Sequence, residues 1–187
     1  MKLNEKAFLA YKLFNSLFTG LSIGILFTIY QPLNPSIYSL GAMVLAIVIL
    51  IIAFFYDKLL NIKSFYRISL LVEIVMLLTL FTLLLLQYSL SSALIIYCGY
   101  QLTFMFGGYL VRAETLVAND KEFLSKIDVN KQIGYLVGLG ASYGFYKALE
   151  IGFDISDAKI QINILHYLLI SLQSLIILLL VSSFRNW

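Results

Sequence analysis

The chain has 187 residues, 61% hydrophobic and 12% charged, with thirteen Lys and Arg against ten Asp and Glu for a net charge of +3. That balance belongs to a solute in lipid rather than water, and six long apolar stretches leave no length for a sizeable soluble domain. A single cysteine, Cys98, excludes an internal disulfide or a cysteine metal cluster, and the basic residues are spread over several loops instead of forming a nucleic-acid patch.

The apolar stretches cover 8–30, 37–56, 68–88, 93–117, 133–149 and 162–184. Each is about 17–25 residues, enough to cross a ~30 Å hydrocarbon core as a helix. The first is too long for a signal-peptide core and lacks a small-x-small cleavage site, so it reads as a retained helix. It carries Asn15, Thr19 and Ser22 on one face, Gly20 and Gly24 at GxxxG spacing, and Lys12 near its start, placed to snorkel to headgroups. Pro32 and Pro35 break the chain before the second segment, and Tyr88–Ser92 is an equally short link between the third and fourth. Both links predict antiparallel hairpins.

In the third segment Glu73 lies six residues after Arg67, and in the fourth Arg112 lies eight residues before Asp120. At 1.5 Å per residue these are depths of about 9 and about 12 Å, so a Glu73–Arg112 pair is expected. The pair reads as a static packing element, or as a gate or proton-coupling site centred on Glu73. Tyr97, Gln101, Phe104, Gly108 and Arg112 fall on one face of the fourth segment, either lining a site for an amphipathic or anionic molecule or packing internally. Among the charges before the fifth span, Phe123, Leu124 and Ile127 predict a short interfacial helix. The fifth span holds two small-residue steps, Gly134 with Gly138 and Gly140 with Gly144, suited to close packing within a subunit or between subunits. His166, near the outer end of the sixth, could titrate with Glu150 and Asp154 but reads better as an interfacial residue. No Gly-rich phosphate loop, HExxH-type motif or Ser/His/Asp set is found. No enzyme activity, catalytic residue, metal or cofactor is therefore expected.

With the N-terminus in the cytoplasm, eleven of the thirteen basic residues fall inside: Lys2, Lys6, Lys12, Lys58, Lys63, Arg67, Arg112, Lys121, Lys126, Lys131 and Arg185. Lys147 and Lys159 fall outside. The positive-inside rule then predicts both termini cytoplasmic and a single orientation. Equal helix numbers allow the first and last three spans to be an inverted repeat, although their residues do not align.

The inner connection between the second and third spans reads Ala53-Phe-Phe-Tyr-Asp57-Lys58-Leu-Leu-Asn-Ile-Lys63-Ser-Phe-Tyr-Arg67. It resembles the loop signature of the major facilitator superfamily, a small residue followed by Asp, a base, Gly and further bases. Asp57 and Lys58 match, and Lys63 and Arg67 stand for the trailing bases. Ala53 takes the first Gly position, Leu60-Asn61 replaces the second, and the spacing is one residue longer. The resemblance covers nearly the whole chain but only one six-helix half of a twelve-helix member. It implies that the first and fourth helices line a cavity, with Asn15, Thr19, Tyr97, Gln101 and Arg112 in its wall. It also implies that the second and fifth helices meet the other half, and that Asp57, Lys58, Glu73 and Arg112 are gate or coupling residues. One bundle cannot supply alternating access, so the missing half would be a second, parallel copy. The expected protein is a half-size secondary transporter in a bacterial inner membrane, a parallel homodimer with a small-molecule substrate. The rival expectation is a non-transporting membrane scaffold that binds a partner through its Gly-rich helices.

Overall fold

The computed structural model describes residues 3–29, 35–86 and 90–184, and every regular element among them is an α-helix. The helices are α1 (Glu5–Ile29), α2 (Pro35–Phe54), α3 (Tyr56–Leu59), α4 (Ile62–Leu86), α5 (Leu90–Ala118), α6 (Lys121–Gly152) and α7 (Ala158–Ser183). Six overlap the predicted apolar stretches, and α3 is a single extra turn in the connection between α2 and α4. The hairpin links around Pro32 and Ser89, together with Lys2, Arg185 and the surroundings of Gly24, lie outside the described residues. Helices α4 and α7 are each long and apolar enough to cross a membrane, and α2 adds a shorter apolar stretch, Ser39–Phe54.

The expected short interfacial helix does not exist as a separate element. Asp120 caps α6, its carboxylate accepting from the Phe123 amide at 3.2 Å, and the helix runs unbroken to Gly152. No Pro or Gly interrupts Lys121–Ile133, so nothing stops the helix before the apolar part begins. Asp157 caps α7 in the same way, accepting from Lys159 and Ile160 at 2.8 and 3.2 Å. The turns before these two caps each contain a left-handed residue, Asn119 (φ 53°) and Asp154 (φ 55°), the side-chain types that tolerate that conformation.

Packing divides the long helices into two trios. Helix α1 lies against both α6 and α7, while α5 lies against both α4 and α2; α4–α7 is the main contact between the trios, with a smaller one between α5 and α6. Exchanging α1, α2 and α4 for α5, α6 and α7 carries α1–α6 onto α5–α2 and α1–α7 onto α5–α4, and α4–α7 onto itself. The helices that correspond under this exchange run in opposite directions.

Glycines set the closest approach, between α1 and α6. A Cβ on Gly20 would lie 2.5 Å from the Tyr135 carbonyl oxygen and 2.8 Å from the Leu139 nitrogen, while Gly134 and Gly138 face the Leu13 and Leu17 carbonyls. Ser142 continues the contact by donating to the Leu21 carbonyl at 3.3 Å. One end of the bundle is closed by aromatic rings: Phe8 has ring centroids 6.0 Å from Phe65, 5.8 Å from Phe184 and 6.4 Å from Phe123. The starts of α1, α4 and α6 and the end of α7 therefore share one level, and Asn4 donates to the Ser183 carbonyl at 2.8 Å there. Outward faces are strongly apolar: Leu40 and Met43 on α2, Leu78 and Leu85 on α4, Leu136 on α6 and Leu178 on α7 are each at least 60% exposed.

Candidate functional site

Two buried carboxylates, both 4% exposed, occupy the interior: Glu73 on α4 and Glu114 on α5. Glu73 sits eleven residues into α4, about 16 Å from its start and near the middle of the bundle. Its Oε1 accepts from the Tyr11 hydroxyl at 2.7 Å and from Asn15 Nδ2 at 2.8 Å, and its Oε2 accepts from Gln173 Nε2 at 2.7 Å. Tyr11 and Asn15 stand four residues apart on α1, the spacing that puts both on one face. Gln173 is fully buried on α7 and also donates to the Glu73 main-chain carbonyl at 3.0 Å. The Gln173 Oε1 atom is buried without a partner.

Glu114 is held by two ammonium groups. Lys12 of α1 pairs directly with its Oε2, and Lys131 of α6 reaches its Oε1 at 3.1 Å. The Lys12 Nζ also lies 5.3, 5.3 and 5.6 Å from the ring centroids of Phe8, Tyr11 and Phe65. Three ring faces and a carboxylate replace the water this ammonium gives up. Lys12 is therefore committed to the interior, correcting the expectation that it snorkels: the Glu114 carboxylate is within reach inside the bundle and headgroups are not needed.

Both acids stand on the α2–α4–α5 trio, and every side chain that binds them stands on α1, α6 or α7. The contact between trios is thus a seam with acceptors on one side and donors on the other. The outermost pair of α6 is different in kind. Lys126 and Glu122, 2.6 Å apart, are solvated, and the hydrogen bond that Lys126 donates to Glu122 raises the Lys126 pKa.

The expected Glu73–Arg112 pair is absent. Tyr109, one turn before Arg112, donates its hydroxyl to the Leu59 carbonyl at 2.8 Å, which puts this part of α5 level with the connection between α2 and α4. Depth counted back from Asp120 misled because α5 continues to Ala118, past the level of that connection. Arg112 is exposed, with its guanidinium carbon 5.6 Å from the Tyr56 ring centroid. Asp57 and Lys58 are exposed on α3 and form no ion pair among the described residues.

The other expected cavity residues separate. Asn15 is engaged by Glu73. Thr19 is exposed and donates to the Asn15 carbonyl at 3.1 Å. Tyr97 packs on α2, where a Cβ on Gly41 would come 2.9 Å from its Cζ. Gln101 is half-buried with Oε1 unpartnered, and Phe104 is 58% exposed. A Cβ on Gly108 would meet no atom within 4 Å, so the α5 surface between Phe104 and Arg112 is open. Of the α6 glycines, Gly134 and Gly138 are consumed inside the chain, while Gly140 and Gly144 face open space. His166 is buried, its Nδ1 2.8 Å from the Ile162 carbonyl oxygen, and does not join Glu150, which pairs with Lys147 at 2.6 Å.

Sequence reasoning passes over Glu114, Lys131, Tyr11 and Gln173. Glu114 carried a usable signal, an acid only two residues from Arg112 within an apolar stretch. Gln173, a neutral amide between Leu172 and Ser174, carried little. No family model, curated protein or solved structure matches the chain.

Proposed function

We infer that the chain is a six-helix bundle of a bacterial inner membrane and one half of a major-facilitator-like secondary transporter, completed by a second parallel copy. The observation that carries this reading is the exchange of helix contacts between the first and last three long helices. Because corresponding helices run in opposite directions, that exchange is what an inverted repeat would produce, and such a repeat is the internal plan of a major-facilitator half. Large exposed apolar side chains on α2, α4, α6 and α7 favour lipid as the surrounding medium, since water-soluble monomers rarely expose such faces. The one-sided distribution of Lys and Arg favours both termini in the cytoplasm.

On this reading the open α5 surface from Gln101 to Arg112, with Thr19 on α1, borders the substrate path between the two copies. Gly140 and Gly144 lie on the face offered to the partner. Asp57 and Lys58 stay at the inner rim, and Glu73 is the group available for ion coupling. One observation favours the alternative of a non-transporting scaffold: Asn15, Glu73, Gln173, Lys12 and Glu114 are all engaged within the chain, leaving few polar groups for a solute.

The test uses the purified full chain in liposomes. Cysteines at Gln101, Phe104 and Gly108 are probed with a water-soluble thiol reagent, and cysteines at Gly140 and Gly144 with a cross-linker. The transporter reading expects labelling along α5 and a cross-linked dimer. A strict monomer with no labelling along α5 overturns it, and a dimer without labelling favours the scaffold.

A further inference from the structure

We propose that Glu73 is a proton-binding site set in the seam between the two helix trios, and that the Gln173 amide turns over when the proton arrives. This deepens the coupling role given to Glu73 above and rests on that reading for its use in transport. The carboxylate is buried, and each of its contacts is a neutral donor: the Tyr11 hydroxyl, the Asn15 amide and the Gln173 amide. No ion pair is made to Glu73 among the described residues. Lys12 of α1 and Lys131 of α6 are bound to Glu114 of α5. On α7, His166 lies seven residues away toward the other end, with Nδ1 turned to the Ile162 carbonyl. Burial without a contacting cation favours the neutral acid, and three donors favour the anion. Opposed in this way, the two forms of Glu73 are brought into balance.

The unpartnered Gln173 Oε1 gives the second form its place. Glu73 Oε1 already accepts two hydrogen bonds, so the proton adds to Oε2, forming one O–H bond with no other bond made or broken covalently. That O–H would then meet Gln173 Nε2, donor against donor. A half-turn of the amide exchanges Nε2 and Oε1, and the idle oxygen accepts the new O–H. The turn also sets Oε1 beside the Glu73 main-chain carbonyl, acceptor against acceptor, a cost the new O–H bond must exceed; inside α4 that carbonyl keeps its helical partner. Ionised Glu73 draws donors of α1 and α7 onto α4; the neutral acid accepts more weakly, and the seam relaxes. Protonation thus sets how firmly one trio grips the other.

The experiment is pH-difference infrared spectroscopy of the full chain in liposomes, without substrate, between about pH 4 and about pH 10. Wild type should show the carbonyl band of a protonated carboxylic acid appearing reversibly on acidification. Glu73→Gln should remove the band, and Gln173→Leu should retain it at a shifted frequency because the O–H has lost its acceptor. Tyr11→Phe, which removes one donor to the anion, should move the midpoint upward by about one pH unit or more, an assignment that holds even if Glu73→Gln does not fold. A band indifferent to both Glu73→Gln and Tyr11→Phe, or one that follows sodium at fixed pH, overturns the proposal. An unshifted band in Gln173→Leu overturns the amide turn. Titration in a chain that moves no solute would sink the transporter reading and leave the proton site standing.

Discussion

The two small-residue steps of α6 offer a comparison in which the same substitution should have opposite signs at neighbouring glycines, Gly138 and Gly140. An alanine Cβ at Gly138 would press on the Leu17 carbonyl oxygen and lie 3.0 Å from the Gly20 Cα. Both are backbone atoms, so α1 must retreat by about 1 Å to restore ordinary contact distances. Overpacking of this kind costs about 1–3 kcal/mol, offset by up to about 1 kcal/mol from the better helix propensity of alanine. The expected net loss for Gly138→Ala is about 1–2 kcal/mol. Gly140→Ala meets nothing within 4 Å and should be neutral or stabilising by up to about 1 kcal/mol. Denaturant unfolding in dilute mixed micelles, followed by circular dichroism, measures both. A Gly138→Ala chain as stable as wild type, or an equal loss from Gly140→Ala independent of protein concentration, would refute the packing argument. A loss at Gly140 that grows with protein concentration would instead mark a contact between copies.

Glu114→Ala strips Lys12 of its acid while leaving it among three rings, and should cost about 3 kcal/mol, the low end for a broken buried pair because Lys131 is 30% exposed and can turn to solvent. Pairing it with Lys12→Met should recover part of that loss in the same micelle unfolding assay, whereas Glu122→Ala, at a solvated pair, should change stability by less than about 0.5 kcal/mol. Tyr109→Phe removes the hydrogen bond to the Leu59 carbonyl and should cost about 1 kcal/mol; hydrogen exchange should speed up at residues 57–61 and not along α7.

Helix positions were legible because a long apolar run specifies a helix almost regardless of its neighbours; the starts capped by Asp120 and Asp157 lie before the expected spans and were not read from the sequence. Partners were not, because counting residues along one helix says nothing of which face meets which. Arg112 illustrates the failure: its depth was reckoned from the end of its own helix, and the Tyr109–Leu59 contact fixes a different reference level. Glycine spacing was informative only in part. Gly134 and Gly140 are separated by six residues, about 240° around a helix, so their two steps cannot serve the same neighbour. That division could have been drawn from the sequence, though not which step turns inward. Gln173 could not have been found, since a neutral amide within a largely apolar helix carries no charge to betray its role.

The seating of α1 against α6 and α7 also dictates an order of events during synthesis. Helices α2 and α4 each pack on α5 and can settle on it once it is made. Helix α1 precedes the other helices in the chain, yet Gly20 meets its backbone partners only when residues 135–139 exist, and its Tyr11 and Asn15 meet Glu73 in a bundle completed by Gln173. Until more than a hundred further residues are made, helix α1 waits with Lys12, Asn15 and Tyr11 unsheltered by their final neighbours. A chaperone that holds such a helix would have its longest engagement with α1, and its release would be timed by α7.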